Sequence, residues 1–220
     1  MHVDVIISTY DRLELLKKCI KSIVESDYKE VSIVVAIDGN EGMLKSLVSE
    51  PITAVFNLQR IDCVASLNKL VPLCKKGAIL YAADDLEFRP DCISQLVARL
   101  REHFPDSDGM IGLQQYCEEK GFFGSKGAFA LMGRKFVDRF PNGQIFCPDY
   151  IHFNSDTELK SFAQRNNLFH FCSGAIVHHS RLQDRTYALG EKVTAQDRNM
   201  LKVRHEGGYL WGESFEVVSK

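Results

Sequence analysis

The first hundred residues repeat one rhythm. A short, mostly apolar run is followed by a stretch in which apolar residues return every three or four positions. The short runs cover residues 3–9, 31–37, 52–56 and 78–83, and they are rich in β-branched side chains. Their predominantly apolar character predicts strands buried on both faces. Between the first two runs, Leu13, Leu16, Ile20, Ile23 and Val24 fall on one helical face, with Asp11 and Glu14 spaced as a capping box. A short helix is expected before Pro51, another over residues 62–74, and a third opened by Pro90 and carried by Ile93, Leu96, Val97 and Leu100. Four strand–helix repeats predict an α/β domain with a parallel sheet covered on both sides.

Beyond residue 100 the rhythm loosens. A strand is expected over residues 109–113, a short helix over 132–140, a helix over 156–166 capped by Asn154 or Ser155, and a strand over 173–178 that closes in His178 and His179. The glycines spread between residues 121 and 133 fit a hairpin with glycine at its bends, and equally a wall where backbone approaches a sugar or an acceptor. Residues 181–194 are polar with few apolar anchors and read as a loop, followed by a last helix over 195–205. With 220 residues the chain suits a single domain over 1–220, with functional parts 1–100, 101–180 and 181–220.

Composition narrows the field. A formal net charge of -2 gives no electrostatic footprint for nucleic acid. Seven cysteines, an odd number without a C-x-x-C pair, favour reduced thiols in a cytoplasmic setting over a disulfide framework or a zinc site. No apolar run reaches membrane-spanning length, and the N-terminus enters strand pattern directly, without a signal-like segment.

The candidate chemistry lies where the strands end. Ser8-Thr9-Tyr10, Asp38-Gly39-Asn40 and Asp84-Asp85 each follow an apolar run. In a parallel sheet all three fall on the same edge, which is where open α/β sheets bind ligands. Adjacent carboxylates at the end of a buried strand suit a hard divalent cation shared with phosphate oxygens. Taken alone, Asp-Asp here also fits a turn. Neither G-x-G-x-x-G nor G-x-x-x-x-G-K-[ST] occurs, so phosphates are not expected to be cradled by a glycine-rich loop.

These pieces together resemble family 2 glycosyltransferases of the GT-A fold. Four stretches carry the resemblance: residues 5–12 as the opening strand and nucleotide-binding loop, with Asp11 where Asn is commoner; residues 35–40 as the strand ending in a base-reading Asp; Asn68-Lys69-Leu70 with residues 77–85 as the lead into the metal motif; and Ser155-Asp156-Thr157-Glu158-Leu159 as the motif holding the base, with Ser155 where Glu is usual. The resemblance implies a Rossmann-like mixed sheet flanked by helices. It implies an inverting, Mn²⁺- or Mg²⁺-dependent transferase using a nucleoside-diphosphate sugar, UDP-linked by the reading of Asp38. The acceptor is left open among glycan, lipid, protein and modified DNA base.

Carried over residue by residue, the resemblance assigns Ser8, Thr9, Tyr10, Arg12, Asp38, Asn68 and Asp84 to the nucleotide, Asp85 and His179 to the metal, and Asp156 to general-base catalysis. Asp38 would accept from a uracil or thymine N–H, as an ionised carboxylate only accepts. Glu87 is a further candidate metal ligand by D-x-D counting. Glu158 competes with Asp156, but two residues along a helix turn a side chain by about 200°, so one of the two faces the site. His178 and His179 point to opposite faces of a strand, and His179 has the preferred spacing. Arg181 and Arg185 would clamp the diphosphate from a closing loop. A nucleotidyltransferase and a noncatalytic nucleotide-sugar-binding module are the rival readings.

Overall fold

The computed structural model describes residues 1–74, 77–118, 120–123 and 127–213. Part of the glycine-bearing stretch, residues 124–126, and the tail from 214 lie outside the described residues. The elements run β1 (Val3–Thr9), α1 (Leu13–Val24), β2 (Val31–Asp38), α2 (Glu41–Ser46), β3 (Thr53–Asn57), α3 (Cys63–Leu70), β4 (Ala78–Ala83), β5 (Leu86–Phe88) and α4 (Cys92–His103). They continue with β6 (Met110–Cys117), β7 (Gly121–Phe123), β8 (Ala130–Met132), α5 (Arg134–Val137), α6 (Ser155–Arg165), β9 (Phe169–His179), α7 (Arg185–Glu191) and α8 (Thr194–Glu206).

The expected parallel core forms. β1 lies between β2 and β4, β3 flanks β2, and all three pairings are parallel. Alternate residues serve opposite layers. Val3, Val5, Ile7, Ala78, Leu80 and Ala82 pack with α1 and α4, whereas Ile6, Ile79 and Tyr81 pack with α3, α5 and α6. Burial on both faces is the reason these strands carry no polar alternation.

The second half turns the sheet mixed. Its order among the described residues is β3-β2-β1-β4-β8-β6-β9-β5, with β7 paired to β6. β8 is antiparallel to both β4 and β6, and β6 is parallel to β9. The two strands of the glycine-bearing stretch, β7 and β8, therefore do not form a hairpin with each other; both pair with β6. β5, a three-residue strand with no separate sequence signal, follows Asp85 directly and runs antiparallel to β9.

Several local expectations change. The capping box at Asp11 does not form: Arg12 is the N-cap of α1 without a side-chain cap, and Asp11 sits at φ 56 accepting from Asn40. The helix expected over 62–74 stops at Leu70 and tightens into a 3₁₀ turn at Pro72, whose ring cannot continue the α-helix. The loop expected over 181–194 contains α7, N-capped by Asp184, whose carboxylate accepts from the Tyr187 amide. All seven cysteines carry free thiols. No helix among the described residues is long and apolar enough to cross a membrane.

Candidate active site

The C-terminal ends of β1, β2 and β4 open onto one cavity of about 360 Å³. Ser8, Thr9, Tyr10, Arg12, Asp38, Asp84, Asp85, Asp156, His179 and Arg181 all line it, so residues as far apart in sequence as 8 and 181 share one space. Ser8 donates to the Cys63 thiol at 3.2 Å, and Thr9 donates to Asp84 Oδ2 at 2.8 Å. Each hydroxyl at the end of β1 thus fixes a neighbouring wall of the cavity.

Asp84 and Asp85 leave β4 in different surroundings. Burial, and then the charge of Asp85, push the Asp84 carboxyl up to about 7. Burial also works against the Asp85 carboxylate, but His179 and Arg12 outweigh it and hold this group below the usual aspartate value. Arg12 sits across both, with Nη1 at 3.3 Å from Asp84 and 3.4 Å from Asp85. It also grips Asp184 with Nε and Nη2, each at 2.8 Å. Burial disfavours its charge, yet the Asp184 bond and the three carboxylates outweigh burial and hold the guanidinium more basic than usual.

His179 is positioned by the sheet. It pairs with Leu86 across β5 and β9, and its Nδ1 donates to Gln115 Oε1 on β6 at 2.7 Å. Its Nε2 lies 3.2 Å from Asp85 Oδ1. Asp85 Oδ1 is buried and has no aligned hydrogen-bond partner. A buried carboxylate oxygen and a half-buried imidazole nitrogen at that separation, with an amide fixing the histidine from behind, are a ligand pair that could share a cation. No group of three or more His, Cys, Asp or Glu among the described residues is arranged to hold a metal. An Mg²⁺-type ion usually keeps several waters, so two protein ligands are compatible with one. Neighbouring His178 points the other way, exposed and edge-on to Tyr116. Glu87, on the exposed face of β5, does not line the cavity.

The two acidic candidates on α6 separate as helical geometry demands. Asp156 lines the cavity, and desolvation raises its carboxyl above the usual value. Glu158 is fully buried on the other side, accepting from Tyr150 Oη at 2.6 Å, Arg204 Nε at 2.8 Å and the Trp211 amide at 2.5 Å. It ties α6 to α8 and the chain beyond.

Two residues expected at the nucleotide do not reach the cavity. Asn68 is buried in α3 and spends both ends of its amide on the Phe146 backbone, donating to its oxygen at 2.8 Å and accepting from its N–H at 3.0 Å. Arg185 is exposed on α7 and points away from the lining, because Asp184 and Thr186 on either side are the residues turned toward Arg12 and Tyr10. Asp38 does line the cavity, but it is saturated by its own protein. Its oxygens accept from Asn57 and Ser66 side chains and from the Ile61 and Asp62 amides, at 2.8 to 3.1 Å.

Other lining residues carried no sequence signal. Gln115 is a buried polar position on β6, beside the half-buried Gln114. His152 and Phe153 stand in a segment whose three backbone amides, 151 to 153, donate to Asp197 of α8 at 2.7 to 3.0 Å. Arg60 and Asp62 precede α3, and Thr186 and Tyr187 come from α7. An N-cap reading of Asp184 would have found the last pair.

The sequence model described as Glycosyl transferase family 2 matches residues 4–174. A search of curated proteins gives no significant match. Among solved structures, S. aureus TarS 1-349 in complex with UDP-GlcNAc superposes with a TM-score of 0.68 at 12% identity, covering 86% of this chain and 61% of that one. The mannosyltransferase PcManGT from Pyrobaculum calidifontis, in complex with GDP-Man and Mn²⁺, superposes at 0.67 and 14% identity, covering 92% of this chain and 64% of its own. The chain thus spans less than two thirds of the length of either structure.

Proposed function

Since the chain belongs to glycosyl transferase family 2, we propose that it moves a sugar from a nucleoside-diphosphate donor to an acceptor hydroxyl, with inversion and with the help of a divalent cation. The observation that carries this reading is the shared cavity. Asp84, Asp85 and His179 line the same space as Asp156, so leaving group and attacking hydroxyl can both be served without rearrangement of the fold.

Asp85 and His179 would hold the ion, which when bound supplies charge neutralisation for the departing diphosphate. Arg12, fixed beside them, adds a permanent positive charge at the same end of the cavity. Asp156 takes the proton from the acceptor hydroxyl as it attacks. Its raised pKa favours that transfer, since a base too weak gains little from the proton. One base suffices for a single inverting displacement. We take the donor to be a uridine diphosphate sugar, with UDP-GlcNAc in the TarS complex as support and GDP-Man in the mannosyltransferase complex as the comparator.

The test separates binding from chemistry. In the Asp156→Asn variant, UDP affinity in Mn²⁺ should stay close to wild type while donor turnover slows by roughly a hundredfold, the usual scale for losing a general base. Wild-type affinity for UDP should fall when Mn²⁺ is replaced by EDTA. Turnover unchanged in the variant removes Asp156 from the chemistry, and a product that retains the donor's anomeric configuration overturns inversion.

A further inference from the structure

We propose that Tyr81 is a specificity-determining residue for the transferred sugar. Its hydroxyl, buried in the wall of the cavity without a partner among the described residues, is the hydrogen-bond donor to one oxygen substituent of that sugar. The inference rests on the nucleotide-sugar reading of the cavity and goes beyond it to the sugar itself.

Tyr81 sits in the middle of β4, in register with Ile6 of β1 on one side and Ala130 of β8 on the other. Its ring packs edge-on against Phe146, with centroids 5.0 Å apart, and tilted against Phe129 at 6.0 Å. In so dense a setting the ring cannot turn away without displacing its neighbours. Phenylalanine would fill this place in the core equally well. The hydroxyl is what the packing does not explain, because a buried phenol ordinarily finds a hydrogen-bond partner. Tyr150 follows that rule: equally buried, it donates to Glu158 at 2.6 Å. Ser8 and Thr9, on the same cavity, also spend their hydroxyls within the protein. Tyr81 Oη alone among these is left to a ligand.

Its place in the cavity fits the sugar. Tyr81 lies three residues before Asp84 on the same strand and faces the layer that contains α6. On the proposed function the diphosphate lies at Asp85 and His179, and the base is Asp156. The transferred sugar must lie between them for an in-line displacement. Phe129 and Phe146 line the cavity beside Tyr81, so the wall is apolar with one polar atom set in it. A pyranose matches such a wall, offering C–H surface and a hydroxyl or acetamido oxygen. Burial, and then the charge of Asp156, hold the phenol well above its ordinary pKa, so it remains a neutral O–H able to donate.

The test uses Tyr81→Phe, which removes the hydroxyl and keeps the ring. Calorimetric titration in Mn²⁺ compares UDP-GlcNAc, UDP-glucose and GDP-mannose, each with its parent diphosphate. The sugar nucleotide that the wild type binds best should lose about tenfold or more in affinity in the variant, with UDP and GDP unchanged. Thermal unfolding of the ligand-free variant should give a Tm at or above wild type, by up to about 4 °C, since an unpaired buried hydroxyl has been removed. A lowered Tm, or a variant that fails to fold, means that the hydroxyl has a partner within the fold and overturns the inference. So does an unaltered affinity for sugar nucleotides, an equal loss for the bare diphosphates, or a wild type to which no sugar adds affinity; all of these leave the donor reading standing. A wild type that binds neither diphosphates nor sugar nucleotides overturns that reading and this inference together.

Discussion

Asp62 holds a backbone conformation that costs an L-residue about 1–3 kcal/mol. Asp62→Gly removes that strain and adds back roughly 0.5–1 kcal/mol of chain entropy. The variant should therefore gain about 1 kcal/mol, raising Tm by about 2–4 °C in thermal unfolding, a result opposite in sign to that for an ordinary structural aspartate. Glu158 is such a structural group. Its ties to Arg204 and Tyr150 are buried, and Glu158→Gln leaves the guanidinium only the longer, more exposed contact to Asp149 at 3.6 Å. The expected loss is about 3–5 kcal/mol of stability, seen as a lowered denaturation midpoint. An unchanged midpoint would mean the pair is replaceable by a neutral hydrogen bond. From sequence, Asp156 and Glu158 were known to point apart, but not which way; the partner that decides it, Arg204, is 46 residues distant. Asp38 shows the same limit. Its place at a strand end was legible because strand ends follow from apolar runs, while its four bonds depend on a loop whose path no periodicity encodes.

Among the elements, the parallel strands and their helices were legible because each buries enough apolar surface to leave a pattern. α7 was not, since polar contacts hold it: the two-bond Arg12–Asp184 ion pair and the Thr186 hydroxyl donating to the Tyr10 carbonyl at 2.9 Å. Undocking such a helix costs a few hydrogen bonds to charged groups, each worth about 1.5–3 kcal/mol. Asp184→Asn weakens the bond to Arg12 and the cap at once. Amide hydrogen exchange in residues 186–191 should then quicken by about tenfold or more, with strands β1 and β4 unaffected. Equal protection in both proteins would show that α7 is held by its packing instead. β5 was invisible for another reason. Three residues carry no detectable alternation, and its existence depends on β9, which returns to it from the far end of the chain.

At the scale of the whole molecule, the family resemblance in the sequence carried the mixed sheet, and apolar pattern alone carried only its parallel half. The other half depends on strand order, with β8 inserted antiparallel between β4 and β6. Order of that kind is set by pairings between distant segments. The Leu86–His179 register has a consequence for how the protein comes to life during folding. Asp85 and His179 are adjacent only after a loop of more than ninety residues has closed, and closures of that span are late and slow. If these two residues hold the proposed cation, intermediates can complete β1 to β4 with every helix between them and still be unable to bind it. In a refolding experiment, far-ultraviolet ellipticity should therefore recover ahead of Mn²⁺-dependent nucleotide binding, and the two curves coinciding would refute the order. On the proposed function a half-made chain is then chemically silent: it would not cleave an activated sugar until its last strand had arrived, so competence would double as a proof of completed assembly.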